Sequence, residues 1–125
     1  EALLLFYFMQ RAQVGIITVN VGLCAGCGIL ILSGGEKGNR IVFKYSRLSL
    51  TRIKAPLGNF LPEHIEAVKK DYLNLLSFNT GLKTKILQED IESERHFNAK
   101  ETIHYGFADK IVDPEKDGKP GMVGK

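Results

Sequence analysis

Apolar residues cluster in this chain with two different periods, and where one gives way to the other the elements change. Residues 1–12, which include Leu3-Leu4-Leu5-Phe6-Tyr7-Phe8-Met9, are apolar nearly throughout and predict a helix buried on most sides. β-Branched residues dominate 15–23 and predict one buried strand. A small-residue turn follows, and then Gly28-Ile29-Leu30-Ile31-Leu32, which is compatible with strand or helix. Ser33-Gly34-Gly35-Glu36-Lys37-Gly38-Asn39 predicts a loop, residues 41–44 and 47–50 predict strands, and Pro56-Leu57-Gly58-Asn59 interrupts the pattern.

From Pro62 the period becomes helical. Ile65, Val68, Tyr72, Leu75 and Leu76 share one face of a helix over 62–79, which Thr80-Gly81 ends, because glycine takes the left-handed cap conformation at little cost. Leu82, Ile86, Leu87 and Ile91 mark a second helical run over 82–92. Asn98-Ala99-Lys100-Glu101 has the form of a capping box opening a short helix that Gly106 closes, and 108–112 predicts a last strand. Strands separated by helices predict an α/β core over residues 1–112 with right-handed crossovers in one largely parallel sheet. Polar, glycine-bearing residues 113–125 predict a flexible tail.

Composition narrows the classes. A length of 125 residues, 44% hydrophobic and 25% charged, suits one small folded core and excludes wholesale disorder. The net charge of +3 comes from bases interspersed with acids, without the stripe that nucleic acid would require. The apolar start is too short to span a bilayer and lacks the cationic front and small-residue cleavage site of a signal peptide. Two cysteines make no disulfide framework, which favours an intracellular or organellar compartment.

Those cysteines lie in the most unusual stretch, Val21-Gly22-Leu23-Cys24-Ala25-Gly26-Cys27-Gly28. On a turn into a helix a CxxC thiol can be activated by the helix N-terminus, so a thiol-dependent enzyme (a Cys hydrolase or a thiol oxidoreductase) using Cys24 or Cys27 is one reading. Two small buried thiols packing a tight turn is the other. Zinc would need two further ligands, and His64, His96 and His104 stand in separate contexts without metal-like spacing. The Ser33–Gly38 loop lacks the spacing of a phosphate-cradling loop, and Ser46 and Ser49 have no partner that the sequence names. No cofactor is expected.

The order of these pieces resembles the Clp protease subunit family. Val-Gly-Leu-Cys-Ala-Gly-Cys-Gly stands where that family has its G-x-x-A-S-M-G turn. Ile-Leu-Ser-Gly-Gly-Glu-Lys-Gly-Asn-Arg stands at its A-G-x-K-G-x-R loop, and Tyr45-Ser46-Arg47 at its N-S-R strand. Asn79-Thr80-Gly81 and Phe97-Asn98-Ala99-Lys100-Glu101 through Tyr105-Gly106-Phe107-Ala108-Asp109 fit its later segments. The resemblance covers residues 1 to about 112, roughly the last two thirds of such a subunit, and the upstream Gly-Gly oxyanion-hole segment has no counterpart here. It implies the Clp/crotonase-like α/β fold with a protruding handle helix at about 62–79. A crotonase-like acyl-CoA enzyme on the related fold fits the Tyr-Ser-Arg and Phe-Asn-Ala-Lys-Glu context less well.

Carried over position by position, the family's serine falls on Gly26, its histidine on Thr51 and its acid on Arg95. A serine mechanism needs a nucleophile, a base to take its proton and a group to orient the base. Glycine supplies no nucleophile, threonine is no base at neutral pH and arginine would repel an imidazolium, so the chain resembles the catalytically inactive ClpR-type subunits of cyanobacteria and plastids. The stretch between Thr51 and Gly81 is shorter than usual, which implies loss of the strand and loop that line the substrate groove. The resemblance further implies two stacked seven-membered rings shared with other active and inactive Clp subunits, fed by a ring-shaped AAA+ unfoldase. Val19, Val21, Ile41, Phe43 and Val112 fall on the family's unfoldase-docking positions. The implied compartment is the plastid stroma, with the cyanobacterial cytoplasm as the alternative.

Overall fold

In the computed structural model, which describes residues 2–52 and 62–117, eleven elements follow one another. They are α1 (Ala2–Arg11), β1 (Thr18–Asn20), β2 (Leu23–Ala25), α2 (Gly28–Ser33), β3 (Arg40–Phe43), β4 (Arg47–Ser49), α3 (Pro62–Thr80), α4 (Thr84–Glu92), β5 (His96–Phe97), α5 (Ala99–His104) and β6 (Lys110–Val112). The Pro56–Asn59 interruption and residues 118–125 of the expected tail lie outside the described residues.

The single sheet expected from the sequence is two sheets. One has the order β1-β3-β6 and is parallel throughout; the other has the order β2-β4-β5, with β2 and β4 parallel and β4 and β5 antiparallel. The strand expected over 15–23 is accordingly divided into β1 and β2. Asn20 supplies the reason. Its side-chain amide donates to the Arg47 carbonyl at 3.0 Å while its Oδ1 accepts from the Gly22 backbone N–H at 3.0 Å. That bend carries the chain from one sheet to the other, and Ser46 N–H bonding to the Phe43 carbonyl at 2.9 Å makes the matching step between β3 and β4. A second consequence is that Cys24 and Ala25, which composition assigns to a turn, belong to β2. β5 is two residues long and has no pattern of its own in the sequence.

The ambiguous run at 28–32 is helix, ended where the Gly34 N–H bonds to the Leu30 carbonyl at 3.0 Å. Burial of Ile29, Leu30 and Leu32 against Val42, Leu48, Leu50, Leu76 and Leu87 makes it the centre of the core. Each such aliphatic side chain removed from water contributes about 2 kcal/mol. Phe97 closes the same core from the far side, with Phe107 and Tyr105 edge-on at ring distances of 5.5 and 5.1 Å. α3 places Tyr72, Leu76 and Asn79 inward, and α5 carries the expected capping box in full: Glu101 N–H to Asn98 Oδ1 at 2.8 Å and Asn98 N–H to Glu101 Oε1 at 3.0 Å.

α1 departs from expectation. Phe6 is buried, but Leu4, Leu5, Tyr7 and Phe8 are exposed, so one face of the helix packs rather than most of them. Among the described residues α1 packs chiefly on α2, which covers a single stripe.

One buried charge ties these layers together. Arg40, at the start of β3, is 4% exposed and holds the Asp109 carboxylate with Nε and Nη2 at 2.8 and 2.7 Å. Its Nη1 donates to the carbonyls of Ser33, Asn79 and Gly106, each at 3.1 Å, so α2, α3 and the end of α5 are anchored to one guanidinium. Lys37 donates to the same Asn79 carbonyl. The carboxylate also accepts the Gly38 and Arg40 backbone N–H groups, and Asp109 is held at about 2, below its ordinary 3.8, first by the Arg40 side-chain bonds.

Candidate functional site

The stretch that stood out in the sequence becomes a strand–turn–helix. β2 ends at Ala25, Gly26 turns the chain with φ +57°, and Cys27 caps α2, with Ile29 N–H returning to the Gly26 carbonyl at 3.2 Å. A left-handed residue between a strand and a helix is the backbone form of a nucleophile elbow, where a side chain stands exposed at the top of the sheet. Here that residue has no side chain. The turn is braced from below by Tyr72, whose buried hydroxyl donates to the Gly26 carbonyl at 2.9 Å and whose phenol is pushed up chiefly by burial.

Thr51 stands next to this turn. A Cβ on Gly26 would lie 3.9 Å from the Thr51 Oγ1, which among the described residues is the one heavy atom beyond its chain neighbours near enough to meet it. Arg95 is joined to the same region by its backbone, since the Leu50 N–H donates to the Arg95 carbonyl at 2.9 Å. Its side chain is engaged elsewhere: the guanidinium lies 4.4 Å from the centre of the Tyr105 ring and 4.9 Å from that of Phe97, and Nη1 is 3.5 Å from Asp90 Oδ1. Gly26 and Thr51 are therefore neighbours, and Arg95 adjoins them through main chain only.

The thiols divide by environment. Cys24 is half-buried, and burial pushes its thiol up to about 11, so at neutral pH it is protonated and a poor nucleophile. Cys27 is exposed, and neither is in a disulfide. Among the described residues no group of three His, Cys, Asp or Glu side chains is placed to hold a metal ion. No helix among them is long and apolar enough to cross a membrane.

One pairing is invisible to sequence reasoning. Ser49 Oγ and His96 Nδ1 are 2.6 Å apart, because β4 and β5 align Ser49 with His96 as direct cross-strand partners. On its other side Ser49 is in register with Ala25, so the row Ala25–Ser49–His96 crosses the sheet just before Gly26. His64 and His104 are exposed, in the first turn of α3 and the last of α5.

Of the five apolar positions carried over as docking residues, Val19, Ile41, Phe43 and Val112 lie on the β1-β3-β6 sheet. Val19 is in register with Ile41, and Phe43 with Val112, so these four side chains share one face. Val42, with the opposite parity, is fully buried. Val21 lies just past β1 and is exposed. Lys110, the strand partner of Ile41, adds a cation to that face which the sequence reading did not include. The first tail residues, Asp113–Asp117, form a turn in which Asp117 N–H bonds to the Asp113 carbonyl at 2.7 Å, and Lys44 pairs with Asp113 at 3.2 Å.

Comparison with known proteins agrees with this arrangement. A proteolytic subunit 2 of the ATP-dependent Clp protease from Thermobifida fusca is 28% identical over 110 residues, covering 83% of this chain and 54% of that protein. The corresponding subunit from Bifidobacterium longum is 31% identical, over 83% of this chain and 53% of its own length. An ATP-dependent Clp protease proteolytic subunit-related protein 1, chloroplastic, from Arabidopsis thaliana is 33% identical over 80% of this chain and 28% of that protein. The chain thus spans about half the length of the bacterial relatives it matches. A crystal structure of an enzyme superposes with a TM-score of 0.82 at 23% identity, over 90% of this chain and 64% of that one, which establishes the fold. The family model for Clp protease matches residues 1–115, nearly the whole chain, and the chain belongs to the Clp protease family.

Proposed function

We propose that this chain is a non-catalytic structural subunit of a hetero-oligomeric, ATP-dependent Clp protease core. In that role it contributes side-to-side surface to a ring shared with active subunits, and a docking face to an AAA+ unfoldase. The observation that carries the reading is the elbow at Gly26. It keeps the left-handed backbone, and Thr51 lies 3.9 Å from the missing Cβ, yet glycine offers no nucleophile at the first position and threonine no base at the second. Arg95 would repel an imidazolium rather than orient it, and its side chain is occupied by Tyr105 and Asp90. The shared apolar face of Val19, Ile41, Phe43 and Val112 supports docking. The raised Cys24 thiol counts against a Cys24-dependent enzyme.

The chloroplastic Arabidopsis relative supports a plastid site of action, with the cyanobacterial cytoplasm as the alternative that bacterial relatives allow. The test is to treat the purified assembled complex with a serine-reactive phosphonate and identify labelled chains by mass spectrometry. Companion subunits are expected to carry label and this chain none. Label on any serine of this chain, Ser49 included, refutes the assignment.

A further inference from the structure

The CxxC pair is a motif that a non-catalytic subunit leaves unused. Along a straight strand, residues three apart in sequence stand about 10 Å apart, whereas a disulfide holds its Cβ atoms about 4 Å apart. Cys24 and Cys27 have that spacing, but the chain does not run straight between them: β2 ends at Ala25 and Gly26 turns it with φ +57°. The register sets where the first sulfur points. Cys24 is the strand partner of Leu48, which is fully buried, so its side chain lies on the core side of β2, against which α2 packs. A Cβ built on Gly28, the first residue of α2, would stand 3.5 Å from Cys24 Sγ. The sulfur of one cysteine thus rests against the residue that follows the other.

The second sulfur belongs to the same neighbourhood. Cys27 caps α2 and is exposed. The Tyr72 hydroxyl donates to the Gly26 carbonyl, on the backbone between the two cysteines. After burial, it is Cys27 and then Cys24 that hold this phenol up, so both thiols lie within electrostatic reach of one oxygen. An exposed thiol with a half-buried one beside it suits a two-step exchange, in which the first takes an incoming disulfide and the second resolves it. Burial makes Cys24 slow toward a dissolved reagent, but not toward a sulfur tethered beside it, where proximity stands in for concentration.

We propose that Cys24 and Cys27 form a reversible thiol–disulfide modification site whose reagent is a low-molecular-weight disulfide. The Cys27 thiolate attacks one sulfur of the reagent, a mixed disulfide forms on Cys27, and the other half leaves and is protonated to a thiol. Cys24 then gives up its proton and attacks Cys27 Sγ, which closes the Cys24–Cys27 bond and releases the second half as a thiol. Two electrons and two protons pass to the reagent, and excess thiol reverses both steps. The bond ties β2 to α2 across the elbow. Hydrolysis has no part in it, so phosphonate labelling neither supports nor refutes it.

The test incubates the purified assembled complex with glutathione disulfide, quenches exchange with acid, blocks free thiols with N-ethylmaleimide and reads this chain by intact and peptide mass. The wild-type chain is expected to lose the mass of two hydrogens, with Cys24 joined to Cys27. Cys24→Ser is expected to stop at a glutathione adduct on Cys27, and Cys27→Ser to stay unmodified. In glutathione buffers the folded wild-type chain is expected to be half oxidised at a ratio about 10-fold more reducing than the same chain in urea, because the turn has already brought the sulfurs together. Four wild-type results overturn the proposal, whether or not either variant folds: no modification, a lasting glutathione adduct on Cys27 with Cys24 free, a disulfide from Cys27 to a companion chain, or equal midpoints with and without urea.

Discussion

Replacing Asp109 by asparagine probes the buried guanidinium that anchors β3, α2, α3 and the end of α5. The substitution keeps shape but removes the charge facing Arg40 and turns an amide donor toward a donor. A carboxyl held at about 2 rather than 3.8 contributes about 2 kcal/mol at neutral pH. The side chain is 21% exposed, enough for water to soften the loss but not to erase it. With roughly 4 °C lost per kcal/mol for a chain of this size, the melting temperature should fall by about 8 °C. Because the folded-state pKa is depressed, the stabilisation is complete above the ordinary carboxyl value and drains away as pH falls from about 4 to about 2. Urea unfolding of wild type and Asp109→Asn at neutral pH and at about pH 2.5 measures this directly, and the difference between the two proteins isolates Asp109 from other carboxylates. A gap that stays constant between those pH values refutes the reasoning, as does a neutral-pH gap below about 0.5 kcal/mol. Arg40→Lys should be about as damaging, since an ammonium keeps the charge but cannot reach the carboxylate and the three carbonyls together.

Two other outcomes follow from backbone and thiol environments. Gly81 and Gly106 both have positive φ, but a Cβ on Gly106 would stand 2.6 Å from the Thr80 carbonyl oxygen whereas one on Gly81 meets nothing among the described residues. Gly81→Ala should cost about 1 kcal/mol and Gly106→Ala about 3 kcal/mol or more, read as denaturant midpoints; equal losses would contradict the close approach. In the folded protein near pH 8, Cys24 should react with iodoacetamide at least about 10-fold more slowly than Cys27, and denaturant should remove the difference. Faster labelling of Cys24 would reinstate a thiol mechanism.

Local chemistry made several features legible before any fold. The helices at 62–80 and 84–92 follow from periodicity, the start of α5 from the Asn98–Glu101 spacing, and the turn at Gly26 from the small residues around it. Ordered motifs carried the family, because their spacing along the chain is itself a one-dimensional record of the fold. Periodicity and order are properties of neighbouring residues, and those the sequence determined alone.

What lay beyond it depends on partners distant in the chain. The division of residues 15–23 between two sheets is made by Asn20 reaching Arg47, and β5 exists only as the cross-strand partner of β4. The pairing of Ser49 with His96, the approach of Thr51 to Gly26 and the burial of Arg40 against Asp109 are likewise meetings of residues that nothing local brings together. The exposure of α1 was misread because apolarity states a preference for burial, whereas burial itself requires a neighbour to cover the helix. Tertiary structure decided these points, since a side chain's environment is set by whatever the folded chain places around it.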